Sequence, residues 1–161
     1  MIWLLIFFCL AVALSPLMWM KSSPRQQQVM ASRAMARSLG INVNICRQPD
    51  ADESEKRLDA IFYWLPWQKD RINQTWVLQR RTRRGWESLF DGWRWVNSQA
   101  DLSWQETIEI IIQDLPTGIT AIIANKEGIG MVWDERGDDD LIHNLHQNLI
   151  KLRNKGEEIC I

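Results

Sequence analysis

The chain has 161 residues, of which 46% are hydrophobic and 24% are charged, and its formal net charge is −1. Apolar residues occur along its whole length, which excludes an intrinsically disordered or low-complexity protein. The near-neutral total hides an uneven distribution, because residues 21–96 carry 14 basic and 8 acidic side chains whereas residues 97–161 carry 5 and 12.

The first predicted element is a membrane anchor at residues 2–20, IWLLIFFCLAVALSPLMWM, which contains no charged residue. At about 1.5 Å per residue, a helix of this length spans roughly 28 Å, close to the hydrocarbon thickness of a bilayer. A cleaved signal peptide is the alternative, with its cleavage site at Ala11-Val12-Ala13. The anchor is favoured because no basic residue precedes the apolar run and the run continues to Met20.

The charges that flank this run predict its orientation. No basic residue precedes it, whereas Lys21, Arg25, Arg33 and Arg37 follow it and no acidic residue occurs before Asp50. Because basic flanks stay inside, we expect a single-pass protein of the bacterial inner membrane with a periplasmic N-terminus and a cytoplasmic domain. An odd count of three cysteines suits that reducing compartment. A bridge between Cys46 and Cys160 is the alternative if the orientation is reversed.

Residues 21–40 are predicted to form a basic juxtamembrane helix that connects the anchor to the rest of the chain. Most of its residues favour helix, and Gly40 is a suitable stop. A basic amphipathic helix beside a span can rest in the lipid headgroups, so Arg25, Arg33 and Arg37 are candidates for contact with anionic lipid. The alternative is a short connector that packs on the domain.

Residues 41–161 are predicted to form one small α+β domain, with a mainly antiparallel sheet of five to seven short strands and two helices packed on one face. Period-two alternation at residues 41–47 predicts a strand with Ile41, Val43 and Ile45 on one face. A second strand is predicted at residues 61–67, where Pro66 marks the end. The apolar run at residues 119–125 suits a central strand, and residues 129–135 return as its partner.

The segment 75–97 carries the clearest hairpin signal. Asp91-Gly92 predicts a two-residue turn between strands. That turn would pair Phe90 with Trp93 and Ser88 with Trp95, and would place Phe90, Trp93 and Trp95 in a common core patch. A second reversal near residues 82–85 would complete a three-stranded meander.

Two helices are predicted in the acidic half. The first begins with the capping-box spacing Ser103–Glu106 and has an apolar stripe. The stripe consists of Trp104, Ile108, Ile111, Ile112 and Leu115. The second covers residues 138–155, begins with three aspartates that suit the helix dipole, and ends at Gly156. Its buried stripe consists of Leu141, Leu145, Leu149 and Leu152.

No catalytic motif stands out in the sequence. It has no phosphate-binding loop and no Cys-x-x-Cys pair. The two histidines, His143 and His146, lie three residues apart on the last helix, and Asp139 or Asp140 could complete a weak metal site. The alternative is an ordinary solvated surface. We therefore expect no cofactor and no enzymatic activity.

A basic cluster and an aromatic pair are the candidate contact residues. The cluster consists of Arg80, Arg81, Arg83 and Arg84. It suits a protein partner or anionic lipid, or a charged solvated edge, and nucleic acid is the less favoured partner. Eight tryptophans outside the anchor are too many for a small core to bury easily. Trp64 and Trp67 are the ones expected on a contact surface, with burial in the core as the alternative.

The first 28 residues, MIWLLIFFCLAVALSPLMWMKSSPRQQQ, resemble the N-terminus of the small accessory subunit of the bacterial preprotein translocase. The resemblance implies one span, a basic Pro/Gln-containing exit at Pro24–Gln28 and a small cytoplasmic β-containing domain. The glycine-rich stretch of that family has no counterpart here. As a whole, the chain resembles uncharacterised single-span inner-membrane proteins of Gram-negative bacteria.

These observations predict a non-enzymatic, membrane-tethered interaction or accessory protein that binds a protein partner and anionic headgroups. One alternative is a translocase-accessory-like subunit. The other is a membrane-anchored enzyme whose site carries no familiar motif.

Overall fold

A computed structural model describes most of the chain: residues 2–4, 6, 23–52, 59–69, 72–137 and 140–159. Apart from its first few residues, the predicted anchor lies outside the described residues, as do Asp138, Asp139 and Cys160. None of the helices within these ranges is long and apolar enough to cross a bilayer. The chain divides into two compact units, Met1–Ala31 and Ser32–Ile161.

Helix α1 runs from Pro24 to Ser38 and confirms the predicted connector helix. Its start is capped reciprocally, because the Gln26 N–H donates to Ser23 Oγ at 3.2 Å and the Ser23 N–H donates to Gln26 Oε1 at 3.0 Å. Two residues after its end, Gly40 has a φ of +80°, a left-handed conformation that suits a residue without a Cβ and stops the helix. The predicted stop at Gly40 is therefore confirmed.

The second unit contains a sheet of seven strands within the described ranges. They are β1 Asn42–Arg47, β2 Asp59–Pro66, β3 Trp76–Arg80, β4 Trp86–Glu87, β5 Trp93–Trp95, β6 Ile119–Ala124 and β7 Gly128–Trp133. Their order is β1-β2-β7-β6-β3-β5-β4, and every neighbouring pair is antiparallel. The α+β class and the antiparallel sheet are confirmed, and the apolar β6 is the middle strand, as predicted.

The predicted turn at Asp91-Gly92 is present, since the Trp93 N–H donates to the Phe90 carbonyl at 3.1 Å. The predicted register is wrong, because Trp95 pairs with Trp86 rather than with Ser88. Ser88 Oγ donates to the Trp93 carbonyl at 2.7 Å and accepts from the Phe90 N–H at 3.1 Å. These bonds make residues 88–92 a longer loop and shift the pairing by two residues. Because side chains alternate with period two, Phe90, Trp93 and Trp95 still face the core.

The predicted meander is also wrong. β5 lies between β3 and β4 and pairs with both, so β4 becomes an edge strand. The chain leaves β3 at Arg81, which has a φ of +59°, and turns again at Gly85, which has a φ of +79°. These two left-handed residues carry the chain away from β3 and leave room for β5 to insert.

Helix α2 covers Gln105–Asp114 and follows a 3-10 turn at Leu102–Trp104. Its predicted stripe is confirmed, since Trp104, Ile108 and Ile111 are buried. The predicted capping box does not form, because neither the turn nor the helix has a side-chain hydrogen bond at its start. The 3-10 turn occupies the residues that the box would have used.

Helix α3 covers Asp140–Ile159, and Leu145, Leu149 and Leu152 of the predicted stripe are buried. Gly156 does not end this helix, contrary to the prediction. A Cβ at Gly156 would lie 2.6 Å from the ring of Trp67, so glycine is needed for close packing inside the helix. One residue later, Glu157 Oε1 accepts a hydrogen bond from the Gln68 N–H at 2.7 Å and ties the last turn to the end of β2.

The helices cover one face of the sheet, which we call the helix-bearing face. Its core joins α2 and α3 to strand residues such as Tyr63 and Met131, and it also includes Ala36 of α1. The two helices predicted for residues 41–161 are therefore confirmed, and the end of α1 packs on the same face. The opposite face carries a smaller cluster, in which Phe62 and Val132 are buried.

The loop that follows β1 touches the loop that precedes β4. Arg84 donates to the Asp50 carbonyl, and its guanidinium lies 3.8 Å from the Asp52 carboxylate. This contact joins the segments that lie beside the two ends of the strand order.

Candidate functional site

The predicted cluster of four arginines is divided by the fold. Arg80 lies on β3 with its guanidinium 4.8 Å from the Trp93 ring, and it donates to the Pro116 carbonyl at 3.3 Å. Burial, with a smaller contribution from the neighbouring Arg81, lowers the pKa of Arg80. Arg80 therefore belongs to the packing of the domain, and Arg84 is engaged by the loop that follows β1.

The other two arginines of the cluster, Arg81 and Arg83, are exposed. Among the described residues, no carboxylate lies within ion-pair distance of either guanidinium. Arg81 also holds a left-handed backbone, which costs a residue with a Cβ about 1 kcal/mol. Within the described ranges, neither cation is used in an ion pair.

Three large apolar side chains are exposed in the segments that follow these arginines in the chain. Leu89 is 72% exposed, Leu102 is 76% exposed and Trp86 is 43% exposed. Leu89 and Leu102 flank a cavity of about 30 Å³. Its other lining residues include Phe90, Trp95, Gln99, Ala100 and Trp104. The Trp86 Nε1–H donates to Gln99 Oε1 at 3.3 Å, so the indole continues the same surface. We call residues 81–92 and 99–102 the β4 corner.

A shallow cleft of about 370 Å³ opens on the other side of Trp86. Its walls include Asp50 and Asp52 from the loop after β1, together with Arg84 and Asn97. Asn97 has a φ of +68° and, like Arg81, occupies the left-handed region. Such strain persists only where the surroundings enforce it and is common at functional sites. The β4 corner is therefore bounded by two strained residues.

The aromatic pair predicted to form a contact surface lies elsewhere. Trp64 is half-buried, and its ring stacks on Phe62 with the centroids 6.4 Å apart. Trp67 is half-buried and donates its Nε1–H to the Asn125 carbonyl at 2.8 Å. All eight tryptophans outside the predicted anchor are described, and only Trp86 among them is exposed.

The sequence indicated Arg81, Arg83 and Arg84 of the β4 corner as contact residues, but not its exposed apolar residues. Trp86 was missed, since its exposure depends on β4 being an edge strand. Leu102 was also missed, because it lies in the 3-10 turn that replaces the predicted capping box.

The three arginines of the connector have different environments. Arg25 and Arg37 are exposed. Arg33 instead forms a bidentate ion pair with Glu135, from Nε to Oε1 at 2.6 Å and from Nη2 to Oε2 at 2.8 Å. The Tyr63 hydroxyl donates to the same Oε1 at 2.8 Å. We call Arg33, Glu135 and Tyr63 the Arg33 clamp.

The electrostatics of the Arg33 clamp follow from this geometry. Hydrogen bonding to Glu135 raises the pKa of Arg33 despite partial burial. Burial, followed by the hydrogen bond to Glu135, raises the pKa of Tyr63. Glu135 has a φ of +57°, so the backbone at its position is strained as well. Arg33 therefore holds α1 to the end of β7 and is not free for the predicted lipid contact.

The weak metal candidates gain no support. His143 is exposed and His146 is half-buried. Burial lowers the pKa of His146, and the positive Arg153 and the neighbouring His143 lower it further. Within the described residues, no group of three or more histidine, cysteine or acidic side chains is arranged to hold a metal ion. Asp139, one of the suggested third ligands, lies outside those residues.

The chain has no recognised relative among known proteins. It matches no known family, and no curated protein or solved structure is significantly similar to it. The resemblance of its N-terminus to the translocase accessory subunit therefore stays a prediction.

Proposed function

We propose that this chain is a non-enzymatic interaction protein of the bacterial inner membrane. Residues 2–20 tether it, and the folded domain binds a protein partner on the cytoplasmic side through the β4 corner. One observation carries the proposal: Trp86, Leu89 and Leu102 are exposed in the β4 corner, where Leu89 and Leu102 line one cavity and Trp86 donates to Gln99 of that cavity.

The energetics favour burial of this surface against a partner. Removing apolar surface from water contributes about 25 cal/mol per Å², so a fully covered leucine contributes about 2 kcal/mol. Tryptophan and arginine are the residues most often found at the energetic centres of protein interfaces. The β4 corner offers both types next to two leucines, whereas Trp64 and Trp67 are already engaged inside the domain.

Charge would add selectivity to such an interface. The β4 corner carries Arg81, Arg83 and Arg84 together with Glu87, Asp91 and Asp101, so a partner with the complementary pattern of charges would be preferred over others.

Anionic lipid is a second candidate ligand, at α1 rather than at the β4 corner. Arg25 and Arg37 are exposed on this helix. A basic residue near an anionic bilayer surface contributes about 1 kcal/mol to binding. We infer that Arg25 and Arg37 strengthen the membrane tether. Arg33 does not contribute, because it is bonded to Glu135.

Site-specific photo-crosslinking of the full chain in its native membrane tests the proposed partner. A photoreactive residue at Leu89 should yield a discrete protein adduct, and one at Ile110, which is 52% exposed on α2, should not. The double variant Arg81→Glu/Arg83→Glu should abolish the Leu89 adduct. Equal labelling from both positions, or adducts to lipid alone, would overturn the proposal.

A further inference from the structure

β1 forms the other edge of the sheet, and it is longer and less protected against pairing than the edge strand β4. β1 has six residues and is bonded on one side only, to β2. Four of its residues are exposed: Asn42, Asn44, Ile45 and Arg47. Ile45 lies on the same face of the strand as Val43, as predicted, but its side chain is 70% exposed. Within the described chain, β1 therefore ends the sheet, and no further strand lies beyond the exposed Ile45.

Natural sheets usually protect an exposed edge with proline, lysine, a bulge or a very short strand. β4 is protected in this way, because it has two residues and follows a loop that carries Arg81, Arg83 and Arg84. β1 has none of these features. Its register runs without interruption from Asn42 opposite Trp64 to Arg47 opposite Asp59, and its one charged residue lies at its end.

We propose that β1 pairs with β1 of a second copy of this chain, so that two sheets join into one across a two-fold axis. An antiparallel pair of identical strands is self-complementary, since each strand offers the other the same donors and acceptors. With Ile45 near the axis, the two exposed isoleucines cover each other.

Charge favours a second copy as the occupant. The strand is uncharged from Asn42 to Cys46, so no like charges oppose each other at the centre of the pair. Antiparallel pairing sends the two Arg47 side chains to opposite ends. With the axis at Ile45 they lie four residues apart along the strand direction, or roughly 14 Å.

The symmetry leaves the core of each copy undisturbed. The two-fold axis of an antiparallel edge pair stands perpendicular to the sheet, so both helix-bearing faces point the same way. Met35, Ala36 and Leu39 pack on that face in each copy, away from the paired edges.

Cysteine crosslinking in the full chain, in native membranes, tests the pairing directly. The natural cysteines Cys9, Cys46 and Cys160 are changed to serine, and single cysteines are placed at positions 44, 45 and 46 in turn. Opposed residues of antiparallel strands have Cβ atoms about 4.5–5.5 Å apart, close enough for a disulfide with slight adjustment. At least one of these positions should give a disulfide-linked dimer, whereas Ile110→Cys should not. No dimer at any of the three positions, or equal dimer from Ile110→Cys, would overturn the proposal.

A second measurement uses charge instead of a crosslink. The protein mass of the full chain in detergent micelles should fall twofold in Ile45→Lys and stay unchanged in Ile110→Lys. Circular dichroism of both variants confirms that they are folded. A wild-type mass equal to one chain would overturn the proposal. The photo-crosslink at Leu89, repeated in the Ile45→Lys variant, separates partner binding at the β4 corner from pairing at β1. The crosslink should persist in that variant even though the dimer is lost.

Discussion

Arg33 and Glu135 are 102 residues apart in sequence, yet their side chains form two hydrogen bonds, at 2.6 and 2.8 Å. The Glu135 side chain is only 10% exposed, and that of Arg33 is 33% exposed. A bidentate pair of this kind fixes direction as well as distance. It therefore sets the position of the second half of α1 on the helix-bearing face.

The first prediction concerns the charge of this pair. Glu135→Gln leaves Arg33 partly buried without its anion and should lower the free energy of unfolding by about 2 kcal/mol. Glu158→Gln is the matched control, because the Lys155–Glu158 pair at 3.3 Å is on the surface and should change the free energy by less than about 0.5 kcal/mol. Urea denaturation measures both values. Equal effects of the two variants would show that the Arg33 clamp contributes nothing beyond a surface pair.

The second prediction separates the carboxylate from the backbone strain at Glu135. Glu135→Ala and Glu135→Gly both remove the carboxylate, but only glycine adopts a φ of +57° without a steric penalty. The glycine variant should therefore be more stable than the alanine variant by about 1 kcal/mol. At an unstrained position the order would be reversed, since glycine gains more entropy on unfolding. The same denaturation experiment decides between these orders.

The third prediction is a pH dependence that arises from Tyr63, the only tyrosine in the chain. Because its pKa is higher in the folded than in the unfolded protein, its contribution to stability is complete below the unfolded pKa of about 10. That contribution is lost as the pH rises through the folded pKa. Stability should fall more steeply above about pH 10 in the wild type than in Tyr63→Phe.

Ultraviolet absorbance provides the independent readout, since the single tyrosinate signal should appear together with unfolding rather than before it. Parallel stability curves for the wild type and Tyr63→Phe would contradict the prediction.

The fourth prediction concerns Gly156 inside α3. Alanine has a helix propensity better by about 1 kcal/mol, yet Gly156→Ala should destabilise the protein by about 1–3 kcal/mol. The new methyl group would lie 2.6 Å from the Trp67 ring and 3.0 Å from the Trp104 ring. Asn154→Ala, at an exposed position of the same helix, should be neutral or slightly stabilising. A more stable Gly156→Ala protein in a thermal melt would rule out the packing argument.

Local patterns predicted the elements that depend on nearby residues. Gly40 ends α1 through its own left-handed backbone, and Trp104, Ile108 and Ile111 form a stripe by helical spacing alone. The apolar run at residues 119–125 similarly predicted a central strand, because such a run is buried on both of its faces.

Tertiary relationships could not be predicted in this way. The register between β4 and β5 depends on hydrogen bonds made by the Ser88 hydroxyl, which hydrophobic alternation does not reflect. Gly156 looked like a helix stop because nothing near it in sequence reveals the Trp67 ring. The exposure of Trp86 follows from β5 inserting between β3 and β4, which is a property of the whole sheet.

The strand order has a consequence for the order of folding. β2 joins the rest of the sheet only through β7, which begins at Gly128. A lone two-stranded hairpin is marginal in water, so β1 and β2 gain little stability before that residue has left the ribosome. Pairings between such distant segments also slow folding. The hairpin of β1 and β2 therefore becomes stable only after β7 has been synthesised, and Phe62 and Trp64 on β2 stay uncovered until then.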